Sequence, residues 1–173
     1  MLKGRRIKIS PMHFSDIEEV VKIEKKVFSS PWPAEVFKEQ LRQPDYASYF
    51  VAKVGGKIIG YAGAIFNKIE AHITNIAINE SYRRKKIGSM LLLKLIRAAQ
   101  DRGSKRLFLE LRKSNLIALK FYEKFGFRVL GLRKNYYSDS GEDAVIMVVD
   151  DLNSANYKNK LQSIRDSIKF NEV

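Results

Sequence analysis

Two runs rich in β-branched and aromatic residues, "SYFVAKV" and "KIIGYAGAIF", are separated by a bare "GG". That spacing predicts an antiparallel hairpin, because two glycines supply the positive φ values that a tight turn between such runs needs. What flanks the hairpin sets the fold class. "AHITNIAI" and "KRLFLELR" read as further strands, the second with Leu107, Leu109 and Leu111 on one face and Phe108, Glu110 and Arg112 on the other. Between them, "SMLLLKLIRAAQDRG" predicts a helix that stops at Gly103. "SNLIALKFYEKFG" opens on the cap-type residues Ser114 and Asn115 and closes on Gly126, so a second helix follows, and "FRVLGLR" and "EDAVIMVV" are strands around a turn containing "SDSG".

Upstream of the hairpin, "RIKIS" alternates as a short first strand. "SDIEEVVKIEKKVF" predicts a helix with Ser15 as N-cap and Ile17, Val20, Val21, Glu24 and Phe28 at helical spacing. "SSPWP" ends it, and "AEVFKEQL" restarts one after Pro33. At the far end, "NSANYKNKLQSIRDSIKFNEV" places Tyr157, Leu161, Ile164 and Ile168 on one helical stripe. A helix docked on the domain, a helix docked on a partner and a frayed tail all fit that stripe.

Helices and strands alternate in the middle of the chain while antiparallel elements sit at both ends, a mixed α/β (α+β) order. A dinucleotide-binding fold is disfavoured, since no GxGxxG follows the first strand with an acidic residue about twenty positions on. The chain has no internal repeat or low-complexity linker, and 173 residues with 45% apolar content fit one packed domain. The absence of cysteine excludes disulfides, thiolate zinc sites and cysteine nucleophiles. No metal is expected. The opening "MLKGRRIKISPMHF" lacks an apolar leader core, and no apolar run approaches the roughly eighteen residues that span a bilayer, so the expectation is a soluble, cytoplasmic protein with no membrane partner.

A formal net charge of +13 favours polyanionic partners such as RNA, ribosomes, anionic lipid or a phosphate-rich cofactor, although a merely solvated surface has the same composition. The charge is densest in "YRRKKIGSMLL", where Arg83, Arg84, Lys85 and Lys86 precede a helix. A helix start leaves backbone N–H groups unpaired and carries partial positive charge, so a pyrophosphate suits it.

These residues resemble the GNAT acetyltransferase superfamily, whose acetyl-CoA loop reads Q/R-x-x-G-x-G/A. Arg83 to Gly88 follow that pattern except that Lys86 replaces its first glycine. A Cβ there crowds the approach of backbone to phosphate, and a positive φ would cost about 1 kcal/mol or somewhat more, while a lysine adds attraction. The resemblance is to the RimI-like and Naa10-like branch of protein N-terminal (N-alpha) acetyltransferases. It runs from "NIAINESYRRKKIG" through "LELRKSNLIALKFYEKFGF" to "RKNYYSDSGEDAVIM". It covers roughly residues 5–150, implying a GNAT domain over residues 1–152; residues 153–173 lie outside the resemblance, and their apolar stripe reads as a helical C-terminal extension.

The resemblance implies a mostly antiparallel sheet in which the strand before the loop splays from its neighbour. There Ile76, Ala77 and Ile78 would offer backbone groups to the pantetheine arm of acetyl-CoA, while Arg83, Arg84, Lys85, Lys86, Ile87, Gly88 and Ser89 would hold its diphosphate. Asn115 would give the cofactor a further hydrogen bond. Glu110 is then the general base, and Tyr122, two helical turns from Asn115, is the acid beside the thioester sulfur and a cofactor contact. Burial of Glu110 would raise its pKa toward the range useful for a base; a pairing with Arg112 is the structural alternative. Tyr122 could instead pack with Leu119 and Phe125. His72 competes for the base role as the usual neutral-pH base, but the matched branch uses the glutamate; His13 is expected at the surface.

Trp32 falls in the loop that walls the acceptor pocket in the family, and Tyr136 and Tyr137 match the segment that closes over the peptide; packing is the alternative for the two tyrosines. At pH 7 roughly a tenth of an α-amine is neutral but only about one part in 2,500 of a lysine side chain. The expected acceptor is therefore a protein or peptide N-terminus, possible ribosome association following from the positive surface, with no specific DNA. A GNAT acting on lysine or a small amine, and a catalytically weak module that binds CoA or RNA, remain the alternatives.

Overall fold

The computed structural model describes residues 6–169. The expected domain limits at residues 1 and 173, and the first five residues of the opening segment "MLKGRRIKISPMHF", lie outside them. Strand β1 (Lys8–Pro11) leads into a 3-10 turn (Phe14–Asp16) and then helix α1 (Ile17–Val27). Ser15 is not the cap. It sits inside the turn, and Asp16 makes the entry instead, accepting from the His13 N–H at 2.9 Å and from Lys53 Nζ at 2.6 Å. The carboxylate gives each donor its own oxygen and pairs its charge with the Lys53 ammonium, which a serine hydroxyl cannot do. His13 is exposed, as expected.

Helix α2 (Ala34–Leu41) follows the Pro/Trp loop. Strands β2 (Ala47–Val54) and β3 (Lys57–Phe66) form the expected hairpin, with Val54 paired to Lys57 and positive φ at Gly55 (55°) and Gly56 (81°). Strand β4 (Glu70–Ile78), a 3-10 turn (Glu80–Tyr82) and helix α3 (Ile87–Asp101) come next. The chain continues through strand β5 (Arg106–Arg112), helix α4 (Leu116–Lys124), strands β6 (Arg128–Tyr137) and β7 (Glu142–Val149), and helix α5 (Ala155–Lys169).

The described residues form two compact units. The first holds the chain up to Phe66 together with Ile73–Ala98; the second holds Asn67–His72 and the chain from Ala99 onward. In the first unit the strands lie in the order β1-β2-β3-β4, with β1-β2 and β2-β3 antiparallel. One core gathers Ile17, Val20 and Ile23 of α1, Phe37 of α2, and Tyr49, Val51 and Tyr61 of the hairpin. The α1 stripe is apolar except at Glu24, which is buried with it.

In the second unit the order is β4-β5-β7-β6, where β4 contributes its first three residues and runs parallel to β5 while the other pairs are antiparallel. Leu107, Leu109 and Leu111 are buried, as the alternation predicts, and Phe108, Glu110 and Arg112 are half-buried. Helix α5 buries Tyr157, Leu161, Ile164 and Ile168. Gln100 Nε2 donates to the Leu152 carbonyl at 2.6 Å and Asn153 Nδ2 to the Ser104 carbonyl at 3.0 Å, which fixes the approach to that helix. Of the three fates open to the apolar stripe, docking within its own unit is the one adopted.

Candidate active site

In the first unit, strand β4 passes into the basic loop through the Glu80–Tyr82 turn, which Asn79 caps by accepting from the Ser81 N–H at 3.2 Å. Helix α3 starts at Ile87, two residues before the expected "SMLL", because the Lys86 carbonyl accepts the Met90 N–H at 3.0 Å. Two non-glycine residues of the loop are left-handed, Arg84 at φ 60° and Lys86 at φ 59°. The glycine replaced by Lys86 is therefore missing where a positive φ is needed, a cost of about 1 kcal/mol or somewhat more. Lys85 is drawn over the Tyr82 ring at 5.2 Å and donates to the Ser81 carbonyl at 3.3 Å, and Arg83 Nε reaches the Ile78 carbonyl at 3.4 Å. The loop thus gathers cations at the start of a helix, a donor set that fits a diphosphate.

The parallel ladder between β4 and β5 has three rungs, Glu70 with Arg106, Ala71 with Leu107 and His72 with Phe108. Ile76, Ala77 and Ile78 lie outside it. Trp32, also in the first unit, is half-buried with its ring 5.9 Å from Phe37.

In the second unit the parallel register brings His72 beside Glu110, and His72 Nε2 is hydrogen-bonded to Glu110 Oε2. Arg133 of β6 approaches Oε1 at 3.6 Å. Burial raises the Glu110 pKa, but the His72 hydrogen bond and the His72 and Arg133 charges outweigh it, so the carboxyl is held below its usual range. This reverses the expectation of a raised pKa, because β-sheet pairing supplied two basic partners that the alternation of β5 alone does not reveal. Arg112 is not the partner of Glu110. Its guanidinium lies 4.0 Å over the Tyr137 ring and pairs with Asp139 at 2.7 Å and Glu142 at 3.4 Å, tying the β6-β7 turn to the end of β5.

Tyr122 is buried, its ring 5.1 Å from that of Phe121 and 5.4 Å from that of Phe127. Burial, with the charge of Tyr137, pushes its phenol well above the ordinary value, so it keeps its proton. Burial likewise takes the Tyr137 phenol up to about 12, against the Arg112 charge that lowers it. Tyr136 meets Tyr137 edge-on at 5.1 Å and lies under Arg133 at 5.2 Å. Both tyrosines end strand β6, which runs further than "FRVLGLR". Asn115 caps α4, its Oδ1 accepting the Ala118 N–H at 3.1 Å.

Sequence reasoning missed Arg133, whose neighbour across the sheet only the strand order reveals. It recorded Glu24 on an apolar stripe without drawing a role from it. Among the described residues no helix is long and apolar enough to cross a membrane, and no group of three acidic, histidine or cysteine side chains is placed to hold a metal ion.

Residues 17–127 match the family described as the acetyltransferase (GNAT) family. A Bacillus subtilis protein, provisionally named a ribosomal protein bS18-alanine N-acetyltransferase, is 41% identical over 138 residues, 80% of this chain and 91% of its own. An N-alpha-acetyltransferase of Sulfurisphaera tokodaii is 32% identical over 161 residues, 84% of this chain and 93% of its own. The crystal structure of the ribosomal-protein-S18-alanine N-acetyltransferase from Escherichia coli superposes with a TM-score of 0.77 at 32% identity, covering 87% of this chain and 98% of that one.

Proposed function

The chain belongs to the GNAT family of acetyltransferases, and from that premise we propose that it moves the acetyl group of acetyl-CoA onto the α-amino group of protein N-termini. The relatives named for that reaction support the class of acceptor. Glu110 carries the argument for the chemistry. A half-buried carboxylate drawn down by His72 and Arg133 is ionised at neutral pH but is a weak base. It does not strip a proton from a lysine ammonium; it takes one from an amine that arrives neutral, as the C–N bond forms. The α-amine has the advantage there by about 3.5 kcal/mol.

The neutral amine nitrogen attacks the thioester carbonyl carbon, and the C–S bond breaks as the amide forms. The nitrogen's proton passes to the Glu110–His72 pair. Tyr122, whose phenol burial keeps protonated, gives its proton to the departing sulfur, and the proton held by the pair restores it through solvent. No covalent enzyme intermediate is needed. Arg83, Arg84, Lys85 and Lys86, with the N–H groups of Ile87, Gly88 and Ser89, hold the donor's diphosphate, and the backbone of Ile76, Ala77 and Ile78 pairs its amides. Since the Asn115 cap uses the amide oxygen, the cofactor bond falls to Nδ2. Trp32 in the first unit, and Tyr136 and Tyr137 in the second, are each assigned to contacts with the acceptor. The reading extends to a cytoplasmic enzyme drawn by its net charge of +13 to ribosomes, where N-termini emerge.

Peptides with a free or a blocked α-amine, each carrying an internal lysine, test the acceptor. Acetylation of the free peptide alone is expected; strong transfer to lysines of the blocked one defeats the proposal. Glu110→Gln and Tyr122→Phe are each expected to lower kcat/KM by about 100-fold or more. Acetyl-CoA consumption that is the same in wild type and both variants would instead indicate a binding module.

A further inference from the structure

Glu24 is a buried carboxylate that the proposed chemistry does not use. It lies on α1, 1% exposed, and its hydrogen bonds come from neutral groups: the Trp32 N–H at 3.0 Å, Asn75 Nδ2 at 3.4 Å and the Tyr61 hydroxyl. Burying a carboxylate without a cation is costly. Burial pushes this one above its usual range even though the Trp32 N–H and the Tyr61 hydroxyl pull it down. An aliphatic side chain would continue the stripe of Ile17, Val20 and Ile23 at no such cost. The use of the acid lies in what it holds.

What it holds is the Pro-Trp-Pro end of the loop between α1 and α2. In Pro31-Trp32-Pro33 only Trp32 carries a backbone N–H, and the prolines on either side have their φ angles fixed. The bond to Glu24 therefore anchors the loop at the residue whose indole meets Phe37 at 5.9 Å. Phe37 in turn meets the Tyr61 ring edge-on at 5.6 Å, and the Tyr61 hydroxyl returns to Glu24. Acid, loop and two core aromatics form one closed circuit within the first unit.

We propose that Glu24 is a positioning residue that sets the Trp32 indole, and through it the fit of the acceptor, without touching the reacting atoms. The acceptor half of this rests on the role given to Trp32 above.

Trp32 is the single tryptophan, so the fluorescence of the full chain reports on it. Acrylamide quenching and kinetics are compared in wild type, Glu24→Gln, Glu24→Asp and the pair Glu24→Met with Tyr61→Phe. Glutamine keeps an acceptor oxygen at full reach and is expected to stay within about twofold of wild type in both readouts. Aspartate keeps the charge but is one methylene short, and the methionine pair keeps the core filled while removing the acceptor. Both are expected to raise quenching and to raise the peptide KM roughly tenfold, the order of leaving the Trp32 N–H without its acceptor, with kcat within about twofold and the acetyl-CoA KM unchanged.

Unchanged quenching and unchanged peptide KM in both would overturn the proposal. A fall in kcat at constant KM would do the same, as would equal damage from glutamine, which would point to the charge rather than the acceptor. If the wild type acetylates no peptide α-amine, the proposed acceptor is wrong, and quenching alone still decides whether Glu24 sets Trp32.

Discussion

Arg133 pulls on the Glu110 carboxyl from the side opposite His72, at 3.6 Å and 55% exposed. Its removal lifts a charge that stabilises the carboxylate, so Arg133→Ala should raise the Glu110 pKa, and the acid limb of the kcat/KM profile should move to higher pH. A pH profile of both proteins at low salt checks this. A limb that stays in place, or moves to lower pH, means that another group sets it. High salt should shrink the difference, because an exposed guanidinium is screened. Asp16 titrates in the same sense: its carboxyl is lowered, burial being outweighed by Lys53 and the His13 N–H. Its contribution to stability is thus present above the unfolded pKa and disappears as pH falls through the folded one. Neither effect follows from residue type. Lys53 and Asp16 are 37 positions apart.

Helix α4 shows how an element's end is decided by a later element. Gly126 ends it with φ at +86°, as its place after "FYEKF" suggests, but a Cβ built there would stand 3.1 Å from the Tyr157 ring and 3.3 Å from Lys160 Cδ of α5. Gly126→Ala should therefore cost about 1–2 kcal/mol from the left-handed backbone alone, with crowding of α5 added to it. Urea unfolding of the two proteins measures this; a loss below half a kcal/mol would mean that α4 ends without needing that φ. The basic loop makes the opposite choice, keeping Arg84 and Lys86 left-handed without glycine. Four cations at the start of α3 are worth more to an anion site than a relaxed backbone, if the proposed diphosphate role holds.

At the scale of the molecule, the excess of 32 basic over 19 acidic side chains makes association with polyanions a matter of ionic strength. If the chain meets ribosomes through this surface, co-sedimentation with them should fall by roughly tenfold or more between about 50 and 200 mM salt. Binding indifferent to salt, or none at low salt, would reduce the charge to a solvated surface. Much of the architecture was legible beforehand, since local chemistry specifies it: the "GG" turn, the leucine alternation of β5, the cap and stop of α4 and the apolar stripe of α5 each depend on neighbours within a few positions. The loop motif and "LELRKSN" likewise carried the family. What tertiary structure alone decided are the partners: that Glu110 would meet His72 and Arg133 and be pulled down rather than up, that Arg112 would clamp Tyr137, and that Glu24 would close on Trp32 and Tyr61. Except for the Glu24–Trp32 bond, which spans eight positions, each of these joins residues more than twenty positions apart in the chain. A pKa or a side-chain orientation depends on distances across the sheet, which periodicity along a strand does not encode.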